Sequence, residues 1–259
     1  MPGVPAPADF LSSAPALIAL LTVLTVLLLT ARIRAPWAPV YAVARGTLQL
    51  AVLAFVLTGA ISSAGWVAAF LVLMFSVAWW TAFKRARALG RSTGTGRTAA
   101  VIGLGMFLGT GVTLVTIFGL RGLEFSPSYL LALGGIIIGN CMTLSTLTVR
   151  RLNELLHDRW PEVEGWLALG ATPRQATSPL ARSAVYSAIV PTTDTTRTTG
   201  LVTLPGAFVG ALFGGSSPYE AGLFQVFVLV GILTAGAVVS ITIAMTLAPG
   251  AKKPVVTDS

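Results

Sequence analysis

The chain has 259 residues, of which 54% are hydrophobic and only 10% charged, and several of its apolar runs reach the about 20 residues a helix needs to cross a bilayer core. Lipid cannot satisfy an open backbone, so only helices or closed barrels span it, and runs this long exclude barrel strands. A net charge of +8 in such a chain reads as basic loops facing anionic lipid rather than a nucleic-acid footprint, while one cysteine and one histidine exclude an intrachain disulfide and argue against a Cys/His metal cage.

The expected architecture is all-α and polytopic. Residues 1–13 form an extracytoplasmic tail without the basic stretch of a cleaved signal. Residues 14–247 form one transmembrane domain, and residues 248–259 a cytoplasmic tail. Hydropathy predicts seven spans, at about Ala14–Ala31, Val40–Gly59, Gly65–Phe83, Thr98–Leu120, Ser128–Val149, Thr198–Phe213 and Gly222–Leu247. With that count every Lys and Arg except Arg121 falls on one side, which places the N-terminus outside and the C-terminus inside. In span 2, Arg45 and Gln49 share a helix face; Arg45 either snorkels to the cytoplasmic edge or serves a pathway.

In span 5, "GGIIIGNCM" sets Gly135 and Gly139 in G-x-x-x-G spacing, the pattern of close helix packing. Asn140 needs a hydrogen-bond partner and so faces protein or a watery path. Cys141 and Met142 are either apolar filler or soft metal ligands. Span 5 is expected to continue as a helix into the cytoplasm, with Arg150 and Glu154 paired and Leu152, Leu155 and Leu156 as an apolar stripe. His157 reads as a solvated residue.

The segment from about 150 to 190 then holds a cytoplasmic hairpin. Pro161 suits a first helical turn, with Glu162 and Glu164 at its positive end. Val163, Trp166, Leu167 and Gly170 share one face, and Gly170 can take a left-handed cap. Ala171 leads to Thr172 as N-cap, Pro173 as first residue and Gln175 as third, a capping box. The element is either a lipid-surface helix or a docking helix for a cytoplasmic partner.

"PTTDTTRTTGLVTLPGAFVGALFGG" is nearly all polar from Pro191 to Thr199. Asp194 and Arg197 are either a local ion pair at the membrane edge or a gate at the cytoplasmic mouth. Span 6 is short and broken by Pro205, as in transporter gates. Gly206, Gly210 and Gly214 repeat every four residues and allow a tight helix seam. Glu220 is either a helix-start cap or an exit-side cation contact.

The spacing of Glu164 and Gly170 resembles the "EAA" cytoplasmic loop of ABC-transporter permeases, although Gly165 and Trp166 replace its small residues and the later Leu-Pro is absent. "RGTLQLAVL", "GNCMTLSTLTVRRLNELL", "EVEGWLALGATPRQA" and "GLVTLPGAFVGALFGGSSPYEA", in that order, resemble the FetB family of permeases, linked to iron export in bacteria and, in plants, to aluminium tolerance. The resemblance is densest from Gly134 to Gln225. It implies a homodimeric, non-enzymatic inner (plasma) membrane subunit that exports metal ions and is paired with a separate cytoplasmic ATPase. Its coupling residues would be Glu162, Glu164, Trp166, Leu167, Gly170, Ala171, Thr172 and Pro173. Pathway or gate candidates are Arg45, Gln49, Asn140, Cys141, Met142, Asp194, Arg197 and Pro205; packing candidates are Gly135, Gly139, Gly206, Gly210 and Gly214. Metal candidates are Cys141, Met142 and Glu220. The sequence holds no G-x-x-x-x-G-K-[ST] phosphate loop, so Mg-ATP is expected in the partner, no cofactor in this chain, and lipids but no nucleic acid as further partners. Rival readings are an ABC permease for a lipid or sugar nucleotide, an ion-coupled secondary transporter, and an intramembrane enzyme, for which no nucleophile–base pair is visible.

Overall fold

A computed structural model describes residues 7–60, 64–89 and 94–250. Ser62, Arg91, Lys252, Lys253 and the terminal residues 1–6 and 251–259 lie outside the described residues. Contacts divide the chain after Ala60 into two compact units.

The first unit holds α1 (Pro7–Thr30) and α2 (Ala38–Ala60). α1 ends in a Schellman motif: the Ile33 amide donates to Leu28 O and the Arg32 amide to Leu29 O, with Arg32 at φ 52°. Arg45 and Gln49 lie about two and three turns into α2 and are exposed.

The second unit holds α3 (Ala64–Ala88), α4 (Thr95–Gly119), α5 (Pro127–Asp158), α6 (Trp160–Ala168), α7 (Pro173–Thr198), α8 (Gly206–Phe213) and α9 (Pro218–Leu247), with a final 3-10 turn at Ala248–Gly250. Among the described residues, four helices are long and apolar enough to cross a membrane: α3, α4, α5 and α9. Between helices in lipid no hydrophobic drive operates, so backbones must approach closely to gain dispersion energy. Small residues do this here. Gly105 and Gly109 of α4 meet Val239, Ile243 and Ala235 of α9, and Gly231 meets Thr113 of α4 and Ile137 of α5. Gly236 accepts the Leu144 side chain of α5, and Gly134 accepts Leu71 of α3. These pairs make α5 and α9 parallel, α4 antiparallel to both, and α3 parallel to α5. Buried hydroxyls add polar ties. Thr148 donates to Ser240 Oγ at 2.9 Å, a class of contact worth about 0.6 kcal/mol in membranes, and the Trp79 indole donates to Ala99 O at 2.9 Å.

α7 corrects the sequence reading. Its 26 residues run through Pro179 and Pro191 as one helix, long enough to extend about 39 Å. The stretch Pro191–Thr198, whose polarity pointed to an edge segment, is helical. The hydroxyls of Thr193, Thr195 and Thr196 donate to carbonyls one turn back, so they are satisfied without water. Buried Ala176, Leu180, Ala181, Ala184 and Ala188 seat the helix against α5 and α9. The expected span Thr198–Phe213 is not a continuous helix. Thr198 ends α7, Gly200 turns the chain at φ 93°, and Pro205 starts the separate α8. With 8 residues, α8 is about 12 Å long and cannot cross a bilayer of about 30 Å.

The N-terminal half of α7 lies beside the last turn of α9 and the 3-10 turn, so α7 runs antiparallel to α9. One end of this unit therefore gathers Lys84, Arg85, Arg87, Arg97, Arg150, Arg151, Arg159 and Arg174. The other carries Arg121, Glu124, Asp194, Arg197 and Glu220.

Candidate functional site

α5 extends as 32 residues to Asp158, past the apolar run, with Leu152 and Leu156 buried. Arg151, not Arg150, pairs with Glu154, at 2.8 Å and one turn away. Only Arg159 then separates α5 from α6.

α6 is pinned from both ends. Pro161 occupies its first turn. Arg159 makes a bidentate pair with Glu162, Nε to Oε1 at 2.7 Å and Nη2 to Oε2 at 2.6 Å. That hydrogen-bonded guanidinium holds the Glu162 carboxyl below the usual range. The Trp160 indole donates to Glu164 Oε1 at 2.9 Å. Both glutamates are thus engaged within the hairpin. At the other end the Ala171 amide donates to Trp166 O and the Gly170 amide to Leu167 O, both at 3.0 Å, a complete Schellman motif around Gly170 at φ 87°. Thr172 and Gln175 form the capping box that starts α7.

The result is a short rigid helix whose two sides differ. Val163 is 2% exposed and packs into the bundle. Trp166 is 54% exposed, and Leu167 and Leu169 are also open, Leu169 at 83%. Leu169 escaped the sequence reading because it falls in the turn, outside the helical periodicity. These three side chains form an apolar tip beside the basic end of the unit.

Gly170 gives a direct test of this geometry. No neighbour lies within 4 Å of a Cβ built there, yet φ is 87°, so Gly170→Val acts through backbone strain alone. The left-handed region costs an L-residue roughly 1–2 kcal/mol, and more for a β-branched one. The variant should insert normally but lose the fixed angle between α6 and α7, read as faster proteolysis between Leu169 and Gln175. An unchanged cleavage rate would mean that the turn tolerates another conformation.

The remaining candidates are scattered. Asp194 and Arg197 form an exposed local ion pair at 3.2 Å, at the end of α7 remote from α6. Asn140 donates to Ile136 O at 3.0 Å and is half-buried. Cys141 is fully buried against α4, where the Thr110 hydroxyl donates to its Sγ at 3.7 Å. Met142 lies a residue further round the helix, half-buried. Glu220 caps α9, accepting from Ser217 N and Oγ, each at 2.9 Å. No three His, Cys, Asp or Glu residues converge among the described residues. Of the packing glycines, Gly135 meets Met74, but Gly139, Gly206 and Gly210 have nothing within 4 Å and Gly214 meets only its own preceding turn. Within this chain the close helix contacts form at Gly105, Gly109, Gly134, Gly231 and Gly236, and "GMFLG" (105–109) has the same G-x-x-x-G spacing. Also unforeseen is Arg182, on an open face of α7 about 13 Å from its start.

The profile of the Uncharacterised protein family (UPF0014) matches residues 12–250. The chain belongs to the UPF0014 family. Among UPF0014 relatives, it is 39% identical to the "UPF0014 membrane protein STAR2" of Oryza sativa subsp. japonica, over 78% of this chain and 69% of that one. It is 37% identical to "Protein ALUMINUM SENSITIVE 3" of Arabidopsis thaliana, over 78% and 73%. It is 30% identical to the "Probable iron export permease protein FetB" of Escherichia coli (strain K12), over 75% and 73%. No solved structure matches this UPF0014 chain.

Proposed function

We propose that this protein is the membrane permease subunit of an ABC-type transporter, acting as a homodimer with a separate ATPase that holds Mg-ATP, and that it exports a metal ion or metal complex. The observation that carries this reading is α6, a rigid helix with an open Trp166–Leu167–Leu169 tip between the ends of two long helices. Such an element suits a helix-in-groove contact, and it transmits a rigid-body push into α5 and α7 together. The likeness to the probable iron export permease FetB of E. coli supports the transport class. Co-purification with the ATPase, followed by a screen of solutes that alter ATP hydrolysis, tests the reading. Transport by the chain alone, without ATP, would instead favour an ion-coupled carrier.

In this reading α7 makes the sixth crossing and α8 lies at the outer surface. The basic end is cytoplasmic. A cysteine placed at Gly94 should then be reached only from inside and one at Ser216 only from outside, by labelling of intact cells with an impermeant thiol reagent. The reverse pattern rejects the orientation.

The dimer seam is assigned to α8. Gly210 is exposed and a Cβ built there has no neighbour within 4 Å, so a leucine side chain starts into open space. Gly210→Leu should nevertheless disrupt the dimer, through contact with the second copy alone. Unchanged cross-linking yield and ATPase-driven transport would remove α8 from the interface.

A further inference from the structure

Two adjoining grooves run along α7. The larger, about 640 Å³, is lined by Arg182, Tyr186, Thr193, Asp194 and Arg197 of α7 and by Ile241 and Met245 of α9, among others. The smaller, about 340 Å³, continues from it toward the basic end through Arg174 and Ser178. The two share Arg182 and Met245, so together they follow the helix from its first turn to its last.

The charges in these grooves do not balance. Asp194 is spent on Arg197, which leaves Arg174 and Arg182 as the excess. The α9 side and the 3-10 turn contribute only uncharged residues: Ile241, Met245, Ala248 and Pro249. Tyr186, one turn beyond Arg182, is 73% exposed. A crossing helix does not present such a stripe to hydrocarbon, because an arginine at depth needs water or a polar partner. A groove of one sign between low-dielectric walls concentrates the opposite ion.

We propose that the α7 grooves form a water-filled path that attracts anions, with Arg182 as the residue that sets its field, so that the cargo crosses as a water-soluble anion. For a metal this means an anionic chelate and not the bare cation. The inference rests on the permease reading, but its test needs neither the ATPase nor a known cargo.

Val185 lines the groove one turn from Arg182. In a Cys141→Ala background, Val185→Cys is reacted, in membrane vesicles, with an anionic and a cationic methanethiosulfonate, each rate divided by that reagent's rate with a free thiol. Val115→Cys, at an open apolar position of α4, should resist both. At Val185→Cys the anionic reagent is expected to react faster by at least about tenfold, with the advantage shrinking at high salt. Arg182→Gln should bring the ratio close to one, and Arg182→Lys should keep most of it. Three results overturn the proposal: no reaction with either reagent, which puts the face against lipid or protein; spontaneous disulfide-linked dimers at Val185→Cys, which makes a second copy the occupant; or equal or faster reaction of the cation. Failure of the ATPase to bind the chain would count against the permease reading and leave this result standing.

Discussion

On the permease reading proposed above, Trp166→Ala is expected to weaken binding of the ATPase by roughly thirtyfold or more, while the protein still folds and inserts. The size follows from what the side chain does and does not touch. It is 54% exposed and lies outside the buried core, so its removal opens no cavity in this chain. The hairpin keeps its shape without it: the Arg159–Glu162 pair, the Trp160–Glu164 hydrogen bond and the Gly170 turn involve other side chains, and only the backbone carbonyl of Trp166 takes part. A large aromatic that fills a partner's cleft is commonly worth at least about 2 kcal/mol. Leu169→Ala, beside it, should show the same direction with a smaller loss. The measurement is a titration of purified ATPase onto the protein in nanodiscs. Full affinity in both variants would return α6 to the alternative of a helix lying on lipid.

The second large effect is on stability. Gly109→Ala should lower the thermal midpoint of the detergent-solubilised protein, whereas Gly105→Ala, one turn earlier on the same face, should leave it nearly unchanged. A Cβ at position 109 would stand 2.8 Å from Ala235 O and 2.8 Å from Val239 Cγ2. The first of these atoms is helix backbone and has no rotamer to change, so α4 and α9 must part. Forcing a methyl into such packing costs typically about 1–3 kcal/mol. At position 105 the nearest atoms lie 3.5 Å away, ordinary contact distance. A midpoint equal for both variants would show that the α4–α9 seam yields more easily than close packing allows.

The hairpin around α6 was legible in the sequence almost residue by residue. Pro161, the Gly170 turn and the Thr172–Gln175 box each depend on residues within one helical turn, so local rules suffice. The same holds for Glu220, whose role as cap of α9 follows from Ser217 three places before it. The long apolar helices were legible for a different reason: hydrocarbon selects composition directly.

The rest depended on partners distant in sequence. G-x-x-x-G occurs at Gly105/Gly109, Gly135/Gly139 and Gly206/Gly210 alike, and nothing local says which copy meets another helix. Only the arrangement of α4 against α9 seats the first. Hydropathy undervalued α7, since it scores Thr193, Thr195 and Thr196 as polar although their hydroxyls are satisfied within the helix. It therefore assigned the span to Thr198–Phe213, where Gly200 and Pro205 break the chain. Arg182 likewise looked like one more basic residue of the cytoplasmic segment until α9 supplied the facing wall of the groove. By itself the sequence determined an all-helical membrane chain and a capped hairpin, because solvent and local hydrogen bonding act on each segment alone. Where α7 lies against α5 and α9, which glycines carry the seams and where the charged groove runs were decided by packing between helices.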